Sequence, residues 1–263
     1  MATILERYIE GESPVHRLDG RVKLLLTLAC ILALSLLPAG AWGGMAAIAA
    51  LIWWAVLQAR VGLGAILRRS LIALPFALAA LTLLFSRPGA ALFSLALGPL
   101  RLTASDAGLV AFVSVLLKSW LSVQAALLLT ATSQFSDLLR ALRALHLPAV
   151  LVAVLSFAYR YLFVLTEEAQ RMLRARECRA AAAPGRKAGR SVAWRAAVTG
   201  RMVGTLFLRA YERSERIYVA MLCRGYNGEL LSLRQRPLSS AEQGLLLVGV
   251  ALLAGIVFLT HLL

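Results

Sequence analysis

The runs of apolar residues constrain this chain more than any other feature. They fall at 22–37, 42–57, 71–85, 107–130 and 244–263, are nearly free of charge, and are separated by polar segments that carry most of the arginines. A helix needs about 20 apolar residues to cross a hydrocarbon core about 30 Å thick. The longer runs meet that length. The first is completed by the uncharged Pro38-Ala39-Gly40 or by snorkelling of Lys23. In lipid a helix satisfies its backbone hydrogen bonds within its own segment. The expected class is therefore all-α, a polytopic membrane protein with about five transmembrane helices. Composition agrees, since 60% of the 263 residues are hydrophobic and mean hydropathy is +0.77, too apolar for a soluble domain.

Charge sets the expected orientation. The formal net charge is +15, from 28 Lys+Arg against 13 Asp+Glu. In a soluble chain that balance would point to nucleic acid, but here the cations sit between membrane-length runs. The positive-inside rule and anionic headgroups account for them, and no nucleic-acid partner is expected. Arg21 and Lys23 mark the cytoplasmic end of the first run, and Arg60, Arg68 and Arg69 place the second loop inside. Pro75 is expected to kink the third run. With the N-terminus cytoplasmic, four spans return the chain to the cytoplasm at Thr130. The expected division is a four-span region at 1–130, cytoplasmic and interfacial helices at 131–243, and a last span at 244–263 whose end is external. Counting 149–165 as a further span would place the arginines between 171 and 216 outside, against the charge rule.

The cytoplasmic region reads as three helices. Residues 133–146 carry Leu138, Leu139, Leu142 and Leu145 as an apolar stripe, with Ser133 or Ser136 as a cap, and should lie on the membrane surface. A long helix runs from 149 to about 180. Its apolar core, 149–158, is short for a span because Arg160 follows, so it starts near the bilayer and leaves it. A basic loop, 184–191, leads to a helix at 192–224 with Trp194, Val198, Met202, Leu206 and Phe207 at helical spacing. Glu167 with Arg171, and Glu212 with Arg216, stand at i,i+4. Two polar residues belong to the bundle interior by their position in apolar sequence, Lys118 and Arg160. Lys118 near the middle of the fourth run faces the bundle, snorkels or pairs with a polar atom such as one of Asp106.

Both long helices end on nearly the same letters. Cys178-Arg179-Ala180 precedes Ala181-Ala182-Ala183-Pro184-Gly185, and Cys223-Arg224-Gly225 precedes Tyr226-Asn227-Gly228. Pro and Gly stop helices, one lacking the N–H and the other accepting positive φ. Arginine at a helix C-terminus also complements the helix dipole, which is an ordinary reason for it to be there. Two such triplets with small neighbours, in one basic segment, point to a docking surface. No phosphate-binding Gly-rich loop with Lys and Ser/Thr, no Gly-x-Ser-x-Gly and no His/Cys/carboxylate cluster at ligand spacing occurs in the sequence. Neither catalysis nor a cofactor nor a resident metal is expected. Three cysteines cannot form a disulfide framework.

These pieces, in order, resemble the transmembrane T component of energy-coupling factor transporters, specifically the cobalt-type CbiQ proteins. The resemblance is carried by His16-Arg17-Leu18-Asp19-Gly20-Arg21-Val22-Lys23, Leu97-Gly98-Pro99-Leu100 with Gly108, and Leu129-Thr130-Ala131-Thr132. It continues in Leu138-Leu139-Arg140-Ala141-Leu142, Tyr159-Arg160-Tyr161, Glu167-Glu168-Ala169, Arg171-Met172 and the two arginine triplets. It implies a non-catalytic scaffold in a bacterial cytoplasmic membrane, whose two coupling helices each dock an arginine into one of two cytosolic ATPase subunits. A separate membrane substrate-binding (S) component would take the ion, cobalt by the resemblance, with nickel or a vitamin as alternatives and an integral-membrane enzyme as a more distant one. The family triplet is Ala-Arg-Gly-like; Cys replaces Ala in both triplets here, and Ala replaces Gly in the first. Ala175-Arg176-Glu177 competes with Cys178-Arg179-Ala180 for the first motif.

Overall fold

The computed structural model describes residues 11, 13–71, 81–82, 91–97, 100–179, 191–228 and 238–262. The order of elements is α1 (Pro14–Arg17), α2 (Gly20–Leu36), α3 (Trp42–Ala59), α4 (Leu63–Ser70), β1 (Ala91–Leu97) and β2 (Leu100–Ser105). The helices α5 (Asp106–Thr132), α6 (Phe135–Ala144), α7 (Ala149–Arg179), α8 (Val192–Cys223) and α9 (Ser240–Leu262) complete it. The architecture is that of an all-α polytopic membrane protein. The antiparallel pair β1–β2, with Leu97 opposite Leu100, is a local hairpin within the connection that leads into α5.

Among the described residues four helices are long and apolar enough to cross a membrane: α3, α5, α7 and α9. The sequence expectation of a further span at 71–85, with its kink at Pro75, lies largely outside the described residues. α2 has 17 residues and covers the first expected span. α7 runs without a break past Arg160, as the sequence predicts, but its apolar part is longer than the expected 149–158: a span-length window of mean hydropathy 1.9 fits within it.

The chain divides into two compact units. The first holds α1 to α6, the hairpin and α9; the second holds α7 and α8. In the first, α2 packs against α5, α6 and α9, while α3 and α4 pack against α5. The core is apolar and tight, with Leu34, Ile48, Ile52, Val56 and Leu121 buried. Gly44 lets α3 approach closely: a Cβ there would overlap the Leu37 side chain and stand 2.6 Å from Thr260 Cγ2 of α9. Large apolar residues elsewhere face outward, among them Leu36, Trp54, Leu57, Leu247 and Phe258. That inverted surface is what a helix bundle presents to acyl chains.

Local sequence explains the helix ends. α2 stops because Leu37 precedes Pro38, whose ring disfavours a helical residue before it; Leu37 has ψ 139°. Asp19 caps α2 by accepting the Arg21 N–H at 2.9 Å. Ser105 caps α5 by accepting the Gly108 N–H at 3.0 Å. α6 corrects the expectation of a serine cap. Gln134 occupies the cap position without a side-chain bond, and Ser133 Oγ is buried without a partner.

Candidate functional site

Lysine 118 on α5 donates to the carbonyl of Leu37, the C-cap of α2. One turn earlier, Ser114 Oγ accepts the Gly40 N–H at 3.0 Å. The α2–α3 turn is thus clamped on α5 at two successive turns. The last carbonyls of a helix lack intrahelical donors and carry the negative end of its dipole. An ammonium placed there is compensated without a carboxylate, which answers how a lysine deep in apolar sequence is tolerated.

The mirror arrangement lies at the other end of the same helix pair. Lys23 on α2 is 8% exposed and donates to the carbonyl of Thr132, the last residue of α5, at 2.8 Å. It also donates to the His16 carbonyl of α1 at 3.1 Å. Each of the two antiparallel helices therefore caps its partner's C-terminal end. Asp19 N–H donates to Glu242 Oε1 of α9 at 3.2 Å, and Ser239 N–H donates to the other oxygen of the same carboxylate. Gly20 fits against the Asp137 carbonyl of α6. The stretch from Ser13 to Lys23 thus ties α1, α2, α5, α6 and α9 together at one end of the first unit. The sequence reading took Lys23 as an orientation marker and missed this role. A polar run that caps a helix and then enters it was the available signal.

In the second unit α7 and α8 lie antiparallel. Phe157 and Tyr161 line the same groove as Ile217, Tyr218 and Met221. Further along, Glu168 is paired by Arg209 of α8 and by Arg171 of its own helix at 3.4 Å. That corrects the expected Glu167–Arg171 pair. Arg160, expected in the bundle interior, is exposed on α7.

The second triplet has a defined geometry. Arg224 is the C-cap of α8, with φ −94° and ψ 9°. Gly225 follows at φ +79°. The Gly225 N–H donates to the Leu222 carbonyl at 2.9 Å, and the Tyr226 N–H to the Met221 carbonyl at 3.0 Å. These two bonds form a Schellman motif, and the left-handed residue it needs is glycine. Both Cys223 and Arg224 are exposed. The first triplet closes α7, with Cys178 and Arg179 exposed as its last two residues and Ala180 outside the described residues. Arg176 is partly buried. Because the helices are antiparallel, Arg224 stands near the level of Phe157. Arg179 lies 22 residues beyond Phe157 on α7, roughly 33 Å along the axis at about 1.5 Å per residue. The two guanidinium groups are thus at opposite ends of one helical hairpin.

This pairing of exposed, helix-terminating arginines is the pattern that the known relatives can be set against. The family described as cobalt transport protein, CbiQ, matches residues 11–235. The chain belongs to the CbiQ family. It is 29% identical to the cobalt transport protein CbiQ of Rhodobacter capsulatus over 62% of this chain and 64% of that protein. It is 33% identical to the energy-coupling factor transporter transmembrane protein EcfT of Heliobacterium modesticaldum, over 89% of this chain and 88% of that one. It is 34% identical to the nickel permease LarQ of Lactiplantibacillus plantarum over 37% of this chain and 33% of that protein. The chain spans 56% and 64% of the lengths of two curated relatives it matches. The matched CbiQ region takes in Lys23, Lys118 and both arginine triplets, and ends before Glu242.

Proposed function

We propose that this chain is the transmembrane coupling subunit of an energy-coupling factor transporter that takes up a transition-metal ion, cobalt first and nickel second. In this reading it does no chemistry of its own. Two cytosolic ATPase subunits attach at Arg179 and Arg224, one each, and a separate membrane subunit binds the ion. The observation that carries the reading is the antiparallel α7–α8 hairpin, with an exposed arginine at each C-terminal end. Membership of the CbiQ family supports the transport class. The partial burial of Arg176 favours Arg179 as the first docking residue.

A planar guanidinium grips a carboxylate with two parallel hydrogen bonds, a fork that lysine lacks. Truncating one partner of such a buried pair typically costs about 2–5 kcal/mol. Arg179→Ala and Arg224→Ala should each weaken ATPase attachment and uptake, and the double variant should abolish both. Lysine at either position should rescue only partly. The measurement is capture of the ATPases from detergent-solubilised membranes alongside ion uptake. Full ATPase retention by the double variant would exclude this docking mode. A larger loss from Arg176→Ala than from Arg179→Ala would move the first docking site by one turn.

A further inference from the structure

The seam between α7 and α8 opens into two grooves of different character. One, of about 510 Å³, is charged, with Glu168, Arg209, Glu212, Arg213 and Arg216 around it. The other, of about 370 Å³, is apolar and aromatic, formed by Phe157, Tyr161, Tyr218, Met221 and Tyr226, with Arg213 as its one charged residue. Arg213 lines both. It shares the lining with Leu165, whereas Phe157 lies about 12 Å from Leu165 along α7, and Met221 as far from Arg213 along α8, by the helical rise of about 1.5 Å per residue. The aromatic groove therefore has an apolar end and a cationic end. Among the described residues Arg213 and Arg216 make no ion pair with a carboxylate, while Glu168 is already taken by Arg171 and Arg209.

We infer that the aromatic groove holds an anionic phospholipid, with an acyl chain along Tyr161, Phe157 and Met221 and the phosphate on Arg213. Charge complementarity favours an anion, because with Arg209 paired to Glu168, Arg213 and Arg216 still outnumber the one remaining carboxylate beside them, Glu212. The apolar lining favours an amphiphile over a free phosphate, which would gain nothing from three tyrosines and a phenylalanine. The acyl end lies against the apolar first half of α7, the part of that helix compositionally suited to a bilayer. Tyrosine is suited to such a boundary, with a ring for the chain and a hydroxyl for the ester region. Arg224 follows Met221 by about one turn, so the acyl end of the groove and the second proposed docking residue share one end of the hairpin.

The test is native mass spectrometry of the full chain in detergent, titrated with phosphatidylglycerol or phosphatidylcholine. Wild type should bind phosphatidylglycerol at least fivefold more tightly, with the preference falling as salt rises. Arg213→Gln should reduce that preference to near unity. Arg195→Gln removes the same charge elsewhere on α8 and should leave it unchanged. Tyr161→Ala should weaken both lipids, with helicity checked by circular dichroism. Equal binding of the two lipids by wild type overturns the inference, as does an equal effect of Arg195→Gln and Arg213→Gln. With the exposed Cys178 and Cys223 replaced by serine, Ser214→Cys offers a second measurement, made in phosphatidylcholine vesicles with and without phosphatidylglycerol and read by maleimide labelling. Protection by added phosphatidylglycerol is the expected result. Protection only by an assembled partner protein would assign the groove to a protein helix and overturn the lipid.

Discussion

At the scale of single residues, the buried Lys23 and the half-buried Lys118 carry the most information. Among the described residues each donates to a helix-end carbonyl that takes no other donor, so removing the ammonium strands that acceptor as well as losing a bond. A stranded buried acceptor costs about 1–3 kcal/mol. Lys118→Met should lower the melting temperature of the detergent-solubilised protein and change uptake by less than tenfold, because its partner is backbone and not a transported ion. Complete loss of uptake in a normally assembled complex would show that Lys118 does more than cap α2. Lys23→Met should destabilise more, since Lys23 joins α1 to α5 through two carbonyls. Gly225 offers a third residue-level test. A Cβ at φ +79° costs roughly 1–2 kcal/mol, although it would meet no neighbour within 4 Å. Gly225→Ala should therefore weaken ATPase capture by displacing Arg224, with the helical content of the chain unchanged in circular dichroism.

At the scale of elements, the long helices were legible and their pairings were not. The spacing of apolar residues gave α7 as 149 to about 180 and α8 as 192–224, against the observed Ala149–Arg179 and Val192–Cys223. Pro38 and Gly225 marked ends because their effects are local to the backbone. Partners across helices have no such local signature. Trp53 lies near the end of the second apolar run, where aromatic belts sit, yet its indole N–H donates to Gln124 Oε1 at 3.0 Å, and Gln124 is fully buried on α5. Trp120 likewise donates to Ser70 Oγ on α4 at 2.7 Å. Residues 86–105 read in sequence as an external connection, because Arg87-Pro88-Gly89 and Gly98-Pro99 are turn-forming residue types and nothing in the sequence specifies the β1–β2 ladder. Glu168 has no spacing signal of its own, because the i,i+4 rule favours Glu167 for Arg171 and the second arginine comes from another helix. Glu168 and Arg209 form an ion pair between α7 and α8, but the Arg209 side chain is 57% exposed. Exposed pairs contribute about 0–1 kcal/mol. A double-mutant cycle of Glu168→Ala and Arg209→Ala, read by thermal denaturation, should give a coupling no larger than about that. A coupling several times greater would mean that the pair sets the α7–α8 geometry.

At the scale of the whole molecule, the decisive matter is whether α7 crosses the bilayer. Length and composition permit it. The arginines argue against it: a crossing would place those between 171 and 216, with Arg179 and Arg224, on the external face, contrary to the excess of cations expected inside. It would also put both proposed docking residues out of reach of cytosolic ATPases. We therefore expect Gly189 and Asn227 to be cytoplasmic and Leu263 external, with α7 starting near the bilayer and leaving it. Because Cys178 and Cys223 are exposed and Cys30 is buried, the first two are replaced by serine before single cysteines are placed at 189, 227 and 263. Labelling of right-side-out and inverted vesicles with an impermeant maleimide then reads each position. Positions 189 and 227 should react only in inverted vesicles and position 263 only in right-side-out ones. Reaction of 189 and 227 from the outside would establish α7 as a span and would remove ATPase docking at Arg179 and Arg224 in the same step. Reaction of 263 from the inside, with 189 and 227 unchanged, would instead alter the span count before or after the coupling helices and leave the docking proposal standing.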